Sequence, residues 1–150
     1  MRANGFTLAE LVLVIGLAGI LSVTAFVYAP SLSTTRLDTA AQQVYSDIEH
    51  AKQNASSTGV TSGVSFVNGG AYTVYQGTTA TPLTHPQTKQ NMVITLSTKY
   101  PGISISGNYV VEFNELGAPT TGGGGSVTIS SGSATRTITV TANTGRLVMP

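Results

Sequence analysis

Cysteine and tryptophan are absent from the 150 residues, and charged side chains make up only 9% of them. Without cysteine there is no disulfide, no thiolate ligand or nucleophile and no lipoprotein anchor, so the fold does not depend on redox compartment. Seven Lys and Arg stand against six Asp and Glu, a formal net charge of +1. That balance supplies no broad basic field for nucleic acid or an anionic lipid surface. Histidine is scarce as well: His50, beside Glu49 and Asp47, lacks an i, i+4 ligand partner, and His85 lies between Thr84 and Pro86 with no acid close in sequence. Gly122 to Gly125 is followed by neither Gly-Lys-Ser/Thr nor a helical pattern, which excludes a phosphate loop. The many Ser and Thr fit a β-rich surface rather than a nucleophile. No catalytic residue, cofactor, metal or small-molecule substrate is expected.

What the chain does contain is Gly5-Phe6-Thr7-Leu8-Ala9-Glu10, followed by an uncharged run to Ala29. About 20 such residues, rising 1.5 Å each, cross a hydrocarbon core of roughly 30 Å, so the run reads as a bilayer helix. A cleaved secretory signal does not fit. Arg2 provides a basic start, but Phe26-Val27-Tyr28-Ala29-Pro30 offers no small-residue cleavage site, and the small Gly5 precedes the apolar stretch. A cut after Gly5 would free an amine at Phe6, mostly protonated at neutral pH, four residues from the ionised Glu10. A carboxylate in an apolar helix is costly and only partly offset by the helix N-terminus, so it calls for a cation. Within the chain that cation is the Phe6 amine four residues back, unless Glu10 snorkels to the headgroups. Gly16 and Gly19 bracket a small-residue patch that either permits close helix approach or is merely tolerated.

Beyond Pro30, where a kink or a fresh start from Ser31 is expected, Leu37, Ala41, Val44, Ile48, Ala51 and Ala55 recur at helical period. Arg36, Gln42, Gln43, Asp47, Glu49 and Lys52 are assigned to the solvated face, and Ser56 to Gly59 to the stop. From Val60 the signals are those of strands. Val60 to Val67 and Ala71 to Tyr75 flank Asn68-Gly69-Gly70 as a hairpin, and Gln76 to Asn91 reads as a loop. Met92 to Leu96, Ile103 to Ile105 and Tyr109 to Phe113 are short strands, and Thr120 to Gly125 is a flexible loop. Ser126 to Ile129 and Thr135 to Thr141 form a second hairpin, with Arg146 to Met149 closing the chain.

Gly5, then Phe-Thr-Leu-Ala-Glu, then the apolar run, resemble the class III signal of type IV pilins and of the pseudopilins of type II secretion. The resemblance implies that a prepilin peptidase cuts after Gly5 and N-methylates Phe6. It further implies that Glu10 of an incoming subunit meets the terminal amine of a neighbour while the apolar helices pack in the filament. The fold implied is α+β and pilin-like, a long N-terminal helix packed on a small antiparallel head. Its parts are a leader over 1–5, a transmembrane or filament-core helix over 6–29, an amphipathic continuation over 30–59 and a β head over 60–150.

Val60-x-x-Gly63-Val64-Ser65-Phe66, Tyr72 to Tyr75, and Thr137 to Val140 followed by Thr144-Gly145-Arg146-Leu147 resemble more narrowly the H-type minor pseudopilin and the T-type minor pilin. DNA-binding T-type members carry a second basic residue shortly after Gly-Arg, whereas Leu147, Val148, Met149 and Pro150 follow here. Nucleic acid is thereby demoted as a partner, leaving Arg136 and Arg146, with Lys89 and Lys99, as secondary candidates for DNA or protein contact. The partners implied are prepilin peptidase, the inner membrane and other pilin or pseudopilin subunits, with the head on the extracytoplasmic side. The alternative is a filament-tip binding module for DNA uptake or surface adhesion.

Overall fold

The computed structural model describes residues 7–150, with the side chains of 23–31 excepted. The chain forms two units, Met1–Ser33 and Thr34–Pro150, and helix α1, Leu8–Thr58, contributes to both. In the first unit, Leu8 and the apolar side chains from Leu11 to Leu21 stand exposed, none less than 53%. Among the described residues no helix is long and apolar enough to cross a membrane. The expected span continues to Ala29, into the stretch whose side chains lie outside the described residues. Helix α1 runs on through Pro30, so no fresh helix starts at Ser31.

In the second unit the seam of α1 is buried as its spacing requires. Leu37, Ala40, Ala41, Val44, Ile48, Ala51 and Ala55 have no exposed surface, and small residues at the Ala positions let the helix approach the sheets closely. Gly59, with φ of 70° and its N–H donating to the Ala55 carbonyl at 3.0 Å, ends the helix in the left-handed conformation that glycine adopts without a Cβ penalty.

Two antiparallel sheets share that seam. The first, in the order β3-β2-β1-β5-β6, comprises β1 Ser62–Val67, β2 Ala71–Gln76, β3 Val93–Thr95, β5 Tyr109–Phe113 and β6 Pro119–Thr121. The second, in the order β4-β7-β8-β9, comprises β4 Ile103–Ser106, β7 Ser126–Ser131, β8 Ala134–Val140 and β9 Leu147–Val148. Alternate residues point inward, as a period of two dictates: Val64, Phe66, Tyr72, Val74, Val111 and Phe113 from one sheet meet Ile105, Val127, Ile129, Ile138 and Val140 from the other in one core with the helix. Phe66 stacks near Tyr72 and Tyr109, with ring centroids 5.4 and 6.1 Å away.

Three expectations are corrected. Asp47 is buried, not solvated, because the Tyr72 hydroxyl reaches across from β2 to donate to it. The strand expected over Met92 to Leu96 ends at Thr95, and Leu96–Lys99 forms a one-turn helix, α2. The glycine run expected to be flexible is held tightly. Pro119–Thr121 pairs with β5, and a Cβ at Gly123 would lie 2.7 Å from the Ala142 carbonyl oxygen and one at Gly125 2.5 Å from the Tyr109 ring. Glycine is required there because the turn segment connecting β6 to β7 passes flush against β5 and the segment after β8.

Candidate assembly site

At the start of α1, Thr7 and Glu10 form a reciprocal cap. The Thr7 N–H and hydroxyl both donate to Glu10 Oε2 at 3.0 Å, and the Glu10 N–H donates to Thr7 Oγ1 at 3.3 Å. This is the Thr-x-x-Glu pattern in which two donors at a helix start are satisfied at once. The sequence carries this signal as Thr7-Leu8-Ala9-Glu10 just before the apolar run. The cap fixes the carboxylate at the helix end and loads one oxygen, while Oε1 has no hydrogen-bond partner among the described residues. Gly5 and Phe6 lie outside the described residues. Gly16 and Gly19 follow on the same helix, and a Cβ at either would meet nothing within 4 Å. Neither glycine is needed for packing within the described chain.

The basic candidates sit on separate elements. Arg136, on β8, pairs through Nε with Asp38 of α1 at 2.8 Å, so its charge already has a partner within the chain. Lys99, in α2, donates to Gln43 Oε1 at 2.7 Å and lies 5.5 Å above the Tyr100 ring. Arg146 is exposed beside β9 and borders a shallow hollow of about 360 Å³ with Gln42 and Tyr45 of α1. Lys89 stands exposed in the long loop with φ of 57°.

A polar cluster that the sequence reading missed lies under the helix. The Tyr72 hydroxyl donates to Asp47 Oδ2 at 2.6 Å, and the Tyr100 hydroxyl donates to Gln43 Oε1 at 2.9 Å. Burial raises the Asp47 carboxyl above its ordinary range. Bonds from Tyr72 and Gln43 and the fields of His50 and His85 only partly oppose the rise. Burial also drives the Tyr72 hydroxyl far above its usual value, with Asp47 adding to the effect. The signal was available: Ala40, Val44, Asp47 and Ala51 step by four, three and four, which places Asp47 in the seam itself.

A long helix whose seam is buried on two small antiparallel sheets is an α+β construction, consistent with a pilin-like fold. The family described as type II transport protein GspH matches residues 40–145, from the seam to the last turn before β9, and the chain belongs to that family. That family is one of structural pseudopilins of type II secretion, and it implies contacts with other pseudopilins in a pseudopilus of the cell envelope. No curated protein and no solved structure matches the chain.

Proposed function

We propose that the chain is a minor pseudopilin made as an inner-membrane precursor, cut after Gly5 and N-methylated at Phe6, and then drawn into a type II secretion pseudopilus or a related type IV pilus. One observation carries this reading: a single helix, Leu8–Thr58, holds Glu10 capped in its first turn and the family's buried seam from Ala40. The Thr7 cap presents the carboxylate in one orientation, with Oε1 unbonded among the described residues. The Phe6 amine of a subunit already in the filament provides the cation that an acid among apolar helices requires. Gly16 and Gly19, bare of neighbours, let the adjoining helix approach. The leader over 1–5, the membrane and filament-core helix over 6–29, its amphipathic continuation over 30–59 and the head over 60–150 then serve removal, anchoring, support and recognition in turn.

Mass spectrometry of the mature N-terminus tests the first step. A product starting at methylated Phe6 is expected, and one starting at Met1 or beyond Ala29 refutes the proposal. For the second step, Glu10→Val should raise apolarity yet strip the subunit from purified filaments, and wild-type incorporation would remove the pairing role.

A further inference from the structure

Assembly through the helix leaves unused the most deeply buried acid of the head. Beside it, a groove of about 480 Å³ opens between α1 and the free edge of the five-stranded sheet, with Gln43, Asp47, His85, Met92, Ile94 and Lys99 among its walls. Its geometry follows from register. Ile94 of β3 lies opposite Tyr72 of β2, and Tyr72 is the residue that touches Asp47, so β3 lies one strand beyond the helix contact. β3 has a strand partner on one side only.

Asp47 retains 8% of its surface and lines a groove that already holds polar groups. Neither ion pair found among the described residues involves it. Lys99, on the same wall, bonds Gln43 Oε1 instead, and the other titratable groups around the acid are Tyr72 on β2, His50 on α1, His85 in the long loop and Tyr100 after α2. A buried carboxylate without a cation is the costly half of an ion pair, and burial has in fact made it hard to ionise.

We propose that this groove receives a lysine or arginine side chain carried on an extended segment of a neighbouring subunit, its cation against Asp47 and its backbone along the open edge of β3. Three features select that occupant. The acid supplies charge complementarity, Met92 and Ile94 supply apolar surface for the methylene stem, and β3, whose Val93 N–H is taken by the Asn91 carbonyl, has no strand partner on its outer side. That the segment comes from a neighbouring subunit rests on the filament reading above; the recognition chemistry does not.

The test is a titration of the full-length chain in detergent micelles, followed by amide NMR shifts, with the peptide acetyl-Thr-Val-Arg-Val-Thr-amide and its citrulline counterpart, which is neutral and nearly isosteric. Saturable shifts are expected at Asp47, Tyr72 and residues 93–95, with binding of the citrulline peptide at least about tenfold weaker. Asp47→Asn keeps an acceptor for the Tyr72 hydroxyl, and it should bring the two affinities together. Equal affinities in the unaltered protein, or no saturable shift at these residues, would overturn the proposal even if the subunit is processed and assembled normally. Arginine-selective binding by a chain that is never cut after Gly5 would uphold the groove and sink the filament reading alone.

Discussion

Single side chains decide two separate matters in this protein. At the helix start, Thr7 contributes no charge but both of its donors hold Glu10 Oε2, which makes it a positioning residue for the acid. Thr7→Val keeps the shape and loses the hydroxyl. The mature, methylated N-terminus should still form, while the share of subunit recovered in sheared filaments should fall several-fold, and Thr7→Ser should restore it; equal recovery for Val and Ser would show that the cap does not orient Glu10. In the head, Tyr72→Phe removes the donor to Asp47 and leaves a buried acceptor short of its partner, a loss of about 1–3 kcal/mol in urea unfolding. No change in stability would mean that Gln43 or water takes up the bond.

Elements show what was legible before the structure and what was not. The seam of α1 was readable because six residues at helical spacing leave little choice of face, and Ile48 illustrates its value: truncation to Ala should cost about 2–5 kcal/mol, measurable as a lowered urea midpoint at unchanged slope. Strands β1, β2, β5, β7 and β8 were readable from alternation and from glycine at the turns. Strand β6 was not. Pro119-Thr120-Thr121 carries no apolar alternation, and its pairing with β5 is fixed by tertiary contact with Glu112 and Phe113. Composition also misled at Gly122 to Gly125, since a glycine run has the same appearance whether it is loose or pressed against a neighbouring backbone. Gly63 belongs to the second kind: on β1 between two partner strands, it lies where a Cβ would collide with the Val111 carbonyl oxygen of β5. Gly63→Ala should therefore destabilise the head by about 1–3 kcal/mol in urea unfolding, because the atom in its way is β5 backbone that cannot swing aside, and unchanged stability would show that β1 and β5 can part there. Asp47 was misplaced for a different reason. Its spacing put it in the seam, but the acid there takes its 2.6 Å bond from a tyrosine 25 residues further on, and pairing at that range leaves no local trace.

At the scale of the whole head, the buried acid links folding to pH in a direction opposite to that of an ordinary salt-bridged carboxylate. Asp47 has a raised value in the folded state, so between about 3.9, its unfolded value, and the folded one the native protein holds more protons than the unfolded chain. Stability attributable to this group is then highest at acid pH, falls as pH climbs through that window, and stays low above it. Tyr72 acts with the same sign at the alkaline end: its contribution is complete below about pH 10 and is lost as pH rises further. Asp38, by contrast, sits half-exposed against Arg136, and a surface pair of that kind contributes little. Asp47→Asn isolates the first effect, because the amide oxygen still accepts from Tyr72 while no charge is buried. Urea unfolding of both proteins at pH 3.5 and pH 7 should show the variant gaining on the parent as pH rises, whereas a difference that is the same at both pH values would mean that the carboxylate ionises without penalty. In that event the groove beside it would have no electrostatic deficit for an incoming cation to relieve.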